Sequence, residues 1–265
     1  MSDHTTTLDD SIAERFDRYF RVDLADRPGL LRSVFHVRFR VYCEEFGYEP
    51  LSRCPDAQER DEYDAHAAHC LITHRSSGRA AGCVRMVPAL GPYPASPLPF
   101  ERHCADSLDH ALIGSLNLDR RTVCEISRLA VDRDFRRRAG ESETRFGRPD
   151  LPDFGPEERR TLPLIAVAAY LASNAMAVQN GRPNGFAMME PFLPRLMARA
   201  GIHFQRVGSD VNFRGVRAAY FTTAHSVLEH MEPSLKGLYD SICAQLYGSS
   251  GVFVRADPPL KASTG

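Results

Sequence analysis

Lysine is nearly missing from this chain of 265 residues: Lys236 and Lys261 are the only two, and arginine carries almost all the positive charge. Chemistry that runs through a lysine amine in the core is thereby excluded. Net charge is lacking too, formally -1 at pH 7, so no overall field draws the protein to nucleic acid or to a membrane. The longest uncharged apolar run, residues 162–178, falls short of the ~20 residues of a membrane span. Pro163, Ser173 and Asn174 interrupt it. A buried helix is expected there and no transmembrane segment, which leaves room only for peripheral contact with a membrane surface. Among the seven cysteines (Cys43, Cys54, Cys70, Cys83, Cys104, Cys124, Cys243) no pair has Cys-x-x-Cys spacing. No metal site is expected, since no clustered ligand set appears. Cys70, Cys83 and Cys124 lie in apolar runs, where a thiol serves as a small hydrophobe in a reducing cytoplasm. The first ten residues, MSDHTTTLDD, are polar and acidic, unlike a signal peptide, and a cytoplasmic location is expected. There is no internal repeat.

What is present is an ordinary globular composition, 43% apolar and 25% charged, enough to bury a sizeable core. The expected organisation is a loose tail over residues 1–8, a single domain over 9–248 and a second loose tail over 249–265, rich in Gly, Ser and Pro.

Residues 18–25 alternate as a strand. Pro28 can open a helix, and Leu30 to Phe46 carries apolar residues at helical spacing. Residues 67–74 and 79–88 read as a hairpin around Ser76-Ser77-Gly78. A short helix is expected near 108–112, and a strand over 123–131 with EISRLAV at its heart. An Arg-rich loop to about residue 160 follows, then the apolar helix, a strand over 185–190 and a helix over 192–200. Strands over 203–207 and 216–222 and a closing helix over 226–247 end the series. Such a mixture without regular βαβ alternation predicts an α/β fold of the mixed kind, with helices on both faces of its sheet.

Several charged residues interrupt apolar elements. Arg38 lies in the first helix, Arg85 in the second hairpin strand, and Glu125 and Arg128 flank Ser127 in the third strand. Asp61 and Asp64 precede the hairpin. A charge inside an apolar element is costly unless paired, so a shared polar network is expected. On a regular strand Glu125 and Ser127 share one face, with Ile126 and Arg128 on the other unless a bulge intervenes.

In their joint spacing these residues resemble the acyl-homoserine-lactone synthases. Arg38, Tyr42 and Tyr48 match an Arg and two aromatics of that family; Asp61 and Asp64 match its Asp-x-x-Asp. Arg85 in GCVRMVP and Glu125, Ser127 and Arg128 in EISRLAV match two further segments, as does LPFE at 98–101. The likeness spans roughly residues 18–135. The chain resembles still more closely a sister group, the acyltransferases associated with PEP-CTERM and exosortase systems and the N-acyl amino acid synthases. Tyr48 stands where the lactone synthases have Trp, which speaks against S-adenosylmethionine as acceptor.

The resemblance implies a GNAT fold, with a largely antiparallel central sheet splayed into a V-shaped cleft between residues 123–131 and 185–190. It implies transfer of a fatty acyl group from an acyl thioester to the amine of an amino acid or similar small acceptor. A lactone synthase and a non-catalytic sensor of acyl groups or carrier protein are the alternatives. No permanently bound cofactor is implied, acyl carrier protein or acyl-CoA being a co-substrate. Glu125, Arg128, Asp64 and Arg85 are the implied catalytic set, with Glu125, Asp64 or His66 as base. Arg38, Tyr42, Tyr48, Asp61 and Ser127 would bind substrate, with Phe100, Leu129, Met188 and Phe192 along an apolar tunnel. Arg137, Arg138 and Gly140 would meet the donor, although Ser142 stands where the GNAT pattern has its second Gly. That departure favours acyl carrier protein over CoA. Arg195 and Arg199, with Arg214 and Arg217, would form a basic face for this acidic partner.

Overall fold

A capping box, with Ser11 and Glu14 each satisfying the other's backbone N–H, starts a helix that the sequence pattern did not announce, α1 (Ile12–Tyr19). It opens a computed structural model that describes residues 11–136 and 154–248. Strand β1 (Phe20–Leu24) follows directly, and Pro28 at the first turn opens α2 (Pro28–Arg38). The expected single helix to Phe46 changes character at Phe39. Residues Phe39–Glu45 form a π-helical turn, closed by a bond from Phe46 N–H to the Val41 carbonyl at 3.1 Å. Helical periodicity in sequence does not distinguish the two.

The hairpin is β2 (Ala68–His74) and β3 (Ala80–Pro88), and α3 (Pro99–His103) and α4 (His110–Ser115) lead to β4 (Val123–Val131). After α5 (Pro156–Thr161), helix α6 (Leu164–Gln179) is the apolar run and is buried along most of its length. No helix of the described residues is long and apolar enough to cross a membrane. The chain ends through β5 (Asn184–Met189), α7 (Leu193–Ala198), β6 (Gln205–Arg206), β7 (Val211–Asn212), β8 (Val216–Thr223), α8 (Ala224–His230) and α9 (Pro233–Tyr247). The closing helix is thus two helices. Pro233 lacks the N–H that would continue the first and sits at the first turn of the second.

The strands form one mostly antiparallel sheet in the order β1-β2-β3-β4-β5-β8-β6, with β7 paired to β8. Its middle strands are covered on both faces. Cys70, Ile72, Val84 and Met86 pack in the core that holds α6, α9 and α1, while Leu71, Cys83 and Ala130 meet Val34, Phe35 and Val37 of α2. Burial of both faces explains why these strands read as nearly continuous apolar runs.

The parallel pair β4 and β5 positions everything that follows. The two pair at Val123↔Asn184, Cys124↔Gly185 and Glu125↔Phe186. Beyond Glu125, β4 stays with β3 as far as Val131, while β5 stays with β8 as far as Met189. The sheet forks there, leaving the β4 backbone past Glu125 open on the side of β5.

Candidate active site

A β-bulge on the open strand sets the direction of its side chains. The β3–β4 register runs Arg85↔Ser127 and then Cys83↔Ala130, so β4 carries one residue more than β3 in this interval. Arg128 sits there in the left-handed region, at φ 54°. Strict alternation would send Arg128 away from Ser127. With the bulge, Arg85 Nε donates to Ser127 Oγ at 3.2 Å, and the Arg128 guanidinium reaches the same cluster of carboxylates.

That cluster is a closed network of three arginines and three carboxylates. Arg38, fully buried, donates from Nε to Glu59 at 2.5 Å and holds Asp64 in a two-point fork at 2.7 and 3.0 Å. Arg85 reaches Asp61 at 2.5 Å and Asp64 at 2.7 Å. Arg128 meets Glu59 at 3.1 Å and Asp61 at 2.9 Å. Asp61 and Asp64 also cap the short helical turn Glu62–His66. Burial alone would raise the Glu59 carboxyl, but Arg38 and Arg128 outweigh it and hold Glu59 below its usual range. Asp64 is held down in the same way, against burial, by Arg38 and Arg85. Behind Asp64 the buried His69 ring stands at 3.7 Å. Burial lowers its pKa to about 4, so it is neutral and adds no charge.

Glu125 belongs to a different environment. It lies at the last paired position of β4 with β5, 3% exposed, and accepts the Phe100 backbone N–H at 2.8 Å. Burial pushes its pKa up to about 7, against the opposing pull of that N–H and of Arg85 and Arg128. A carboxyl poised near neutral pH is suited to taking and returning a proton. Asp64 is locked ionised in the network, and His66 is exposed and away from the cavity.

The fork opens into a cavity of about 600 Å³. Glu59, Asp61, Ser127 and Arg128 form its polar floor, and Phe100, Leu129 and Met188 its apolar side. Phe100 is stacked on Phe186 of β5 at 4.9 Å. Tyr42, Phe46 and Tyr48 make an aromatic wall, Tyr48 stacking on Tyr42 at 6.1 Å and on Phe46 at 5.2 Å. The π-helical turn and Gly47, at φ 61°, bring them together. Tyr42 donates its hydroxyl to the Leu129 carbonyl at 2.9 Å, and burial pushes its pKa up to about 12, so it remains a donor.

Arg38, Asp64 and Arg85 stand behind the floor and do not line the cavity. Phe192, expected along an apolar tunnel, is 59% exposed and outside it: β5 ends at Met189, and the turn into α7 points Phe192 outward. Arg195 on α7 and Arg199 just past its end are exposed, also outside the cavity, whereas Arg214 and Arg217, expected on the same basic face, line the cavity instead. Arg137, Arg138 and Gly140 lie outside the described residues. Sequence reasoning missed Glu59, whose polar surroundings, QERDE, give no sign of burial. It also missed Glu49 and Glu190 in the cavity wall.

Residues 37–144 match a family model described as acetyltransferase (GNAT) domain. The fold is similar to that of TofI, solved in a ternary complex with an inhibitor and MTA, at 20% identity and TM-score 0.55, covering 82% of this chain and 99% of that one. It is similar to BjaI, a CoA-dependent acyl-homoserine lactone synthase solved with SAM and isopentyl-CoA, at 18% identity and TM-score 0.55, covering 84% and 89%. It is also similar to FeeM, an N-acyl amino acid synthase from uncultured soil microbes, at 10% identity and TM-score 0.50, covering 82% and 97%. No curated protein sequence matches the chain. The fold is GNAT-like, and residues 37–144 are similar to an acetyltransferase (GNAT) domain.

Proposed function

We propose that the protein is an N-acyltransferase that moves a fatty acyl group from a thioester to the amine of an amino acid or similar small acceptor. The observation that carries this reading is Glu125: a buried carboxyl with its pKa near 7, at the fork of β4 and β5 and on the wall of a cavity with an apolar side. The thioester carbonyl lies against the open β4 backbone, whose free N–H groups stabilise the oxyanion. The acceptor enters as an ammonium ion and gives one proton to Glu125, directly or through water. Its nitrogen then attacks the carbonyl carbon, forming the C–N bond. The C–S bond breaks, Glu125 returns its proton to the departing thiolate to give the free thiol, and a second nitrogen proton passes to solvent, which leaves the amide N–H. No protein nucleophile takes part.

Arg128 and Asp61 meet the substrates at the cavity floor beside Ser127, while Arg38, Asp64 and Arg85 act as positioning residues behind them. Tyr42 and Tyr48 flank the acceptor, and Phe100, Leu129 and Met188 take the start of the acyl chain, each buried methylene contributing ~0.8 kcal/mol. The donor is acyl carrier protein rather than CoA. Arg195 and Arg199 support this: they are exposed on, and just past the end of, the helix that follows β5 and carry no ion pair among the described residues. Seven free thiols fit a reducing cytoplasm as the place of action.

Mass spectrometry of lipids from bacteria expressing the chain tests the activity. A new series of acyl amides, absent with Glu125→Gln, is the expected result. Lipid extracts identical to those of the empty host would overturn it.

A further inference from the structure

A hairpin closes one side of the cavity. Strands β7 and β8 pair at Val211↔Arg217 and Asn212↔Val216, which leaves Phe213, Arg214 and Gly215 at the tip. Phe213 stacks on His103 of α3 at 5.5 Å, anchoring the tip on the far wall. The Arg214 guanidinium reaches Glu49, just beyond the aromatic wall, and that of Arg217 lies over the Tyr48 ring at 5.9 Å. All of these side chains line the same cavity as Glu125.

The two arginines are held in place at some cost. Arg214 adopts φ 55°, in a region that disfavours a non-glycine residue. Strain of this kind persists where the surroundings impose it, and it gathers at functional sites. Their side chains are only 23% and 22% exposed, and burial, with the like charge of Arg217, lowers the Arg214 pKa. Their neutralisation is incomplete. Glu49 pairs with Arg214, but among the described residues the nearest carboxylate to Arg217 is Glu190, at 4.0 Å. Among the described residues the one side-chain hydrogen bond from Arg217 runs from Nε to the Arg214 carbonyl at 3.3 Å, which leaves the outer edge of the guanidinium for an anion.

Resting on the acyl-transfer reading of this cavity, we propose that Arg214 and Arg217 recognise the carboxylate of the acceptor and so select amino acids over simple amines. A guanidinium fork matches a carboxylate in two hydrogen bonds, and a partly desolvated one discriminates strongly against a ligand that leaves it unpaired. The hairpin stands on the β5–β8 side of the fork, whereas the loop expected to hold the donor's phosphate follows β4. The anion at Arg217 therefore belongs to the acceptor. A phosphate on the donor has related chemistry, and the experiment separates the two sources.

The probes are N-lauroylglycine and N-lauroylglycinamide, which differ only in the carboxylate, titrated calorimetrically into the full chain. Two charge-assisted hydrogen bonds predict that the acid binds about 10- to 100-fold tighter than the amide. Arg217→Gln and Arg214→Gln should each bring that ratio close to one. Arg206→Gln, an exposed arginine paired with Asp210 outside the cavity, should retain it. Pantetheine 4′-phosphate, titrated in parallel, should bind the variants as it binds the parent. Equal binding of acid and amide by the parent chain overturns the proposal, and so does a variant that loses the phosphate while keeping its preference for the acid. The titration needs no turnover. Absence of any acylated amine in a separate assay would count against the transferase reading, while the carboxylate site would still stand or fall by the acid-to-amide ratio.

Discussion

Arg85 and Ser127 face each other across β3 and β4, Nε to Oγ at 3.2 Å, in the last regular pair before the bulge that turns Arg128 toward the carboxylates. Ser127 therefore acts as an acceptor for a guanidinium that Asp61 and Asp64 also hold, and the proposed mechanism gives it no role as a nucleophile. Ser127→Ala removes one of three anchors on Arg85. Losing such a bond costs about 1 kcal/mol, so kcat/KM should stay within about tenfold of the parent. Intact-mass measurement after incubation with donor should find no acyl-protein in either form.

Glu59 is the residue on which Arg38 and Arg128 both depend. Glu59→Gln keeps the shape and deletes the charge, leaving two guanidiniums in a buried site with one partner fewer. Removing one member of a buried ion pair costs about 3–5 kcal/mol. At about 2–4 °C per kcal/mol for a chain of this size, the melting temperature should fall by roughly 6–20 °C. A melt within 2 °C of the parent would show that the network contributes little.

The two kinds of carboxylate act in opposite directions with pH. Glu59 and Asp64, with lowered pKa, contribute stability that is present above their unfolded pKa values and lost as pH falls through the folded ones. Glu125, raised from 4.5 to about 7, binds a proton more tightly when folded, so its contribution declines as pH rises between these values. Above pH 7 the ionised side chain costs roughly 3 kcal/mol. Glu125→Gln should therefore melt higher than the parent at pH 8 by clearly more than at pH 5. An equal difference at both pH values would show that Glu125 is not perturbed.

Arg195 and Arg199 offer a test of the donor. Reversing both to Glu should slow transfer from acyl carrier protein, most at low salt, where unscreened charge governs encounter. A small acyl thioester should react as with the parent chain. Equal losses with both donors, or comparable turnover of acyl-CoA by the parent, would remove carrier protein from the account.

How far the sequence anticipated this site depends on how each residue announces itself. Arg38, Arg85 and Arg128 were legible because a charge inside an apolar element has to be paired, and the structure brings all three to one cluster. Glu59, their common partner, lies in a polar segment where burial leaves no pattern. The strands β2 to β5 were legible as apolar runs, but the bulge at Arg128 was not, since an arginine does not announce the left-handed backbone it adopts there. The π-helical turn shares its spacing with an ordinary helix. The break between α8 and α9 was missed, one helix being expected over 226–247, although Pro233 stands at the start of the second. The β7–β8 hairpin pairs two residues on each side, too few for alternation to show, so Arg214 and Arg217 were expected on an outer face rather than in the cavity.

The most direct test of the account is the pH dependence of kcat/KM for acyl transfer, compared between the parent chain and Glu125→Gln. General-base catalysis contributes about 10²- to 10⁴-fold, and only the ionised carboxylate supplies it. The parent profile should rise through an inflection near the Glu125 pKa of about 7, separate from the limb set by the amine of the acceptor. Glu125→Gln should be slower by about 10²-fold or more and lack that inflection, keeping only the amine limb. An inflection near 7 that persists in Glu125→Gln, or a rate close to that of the parent, would contradict the assignment of Glu125 as the base.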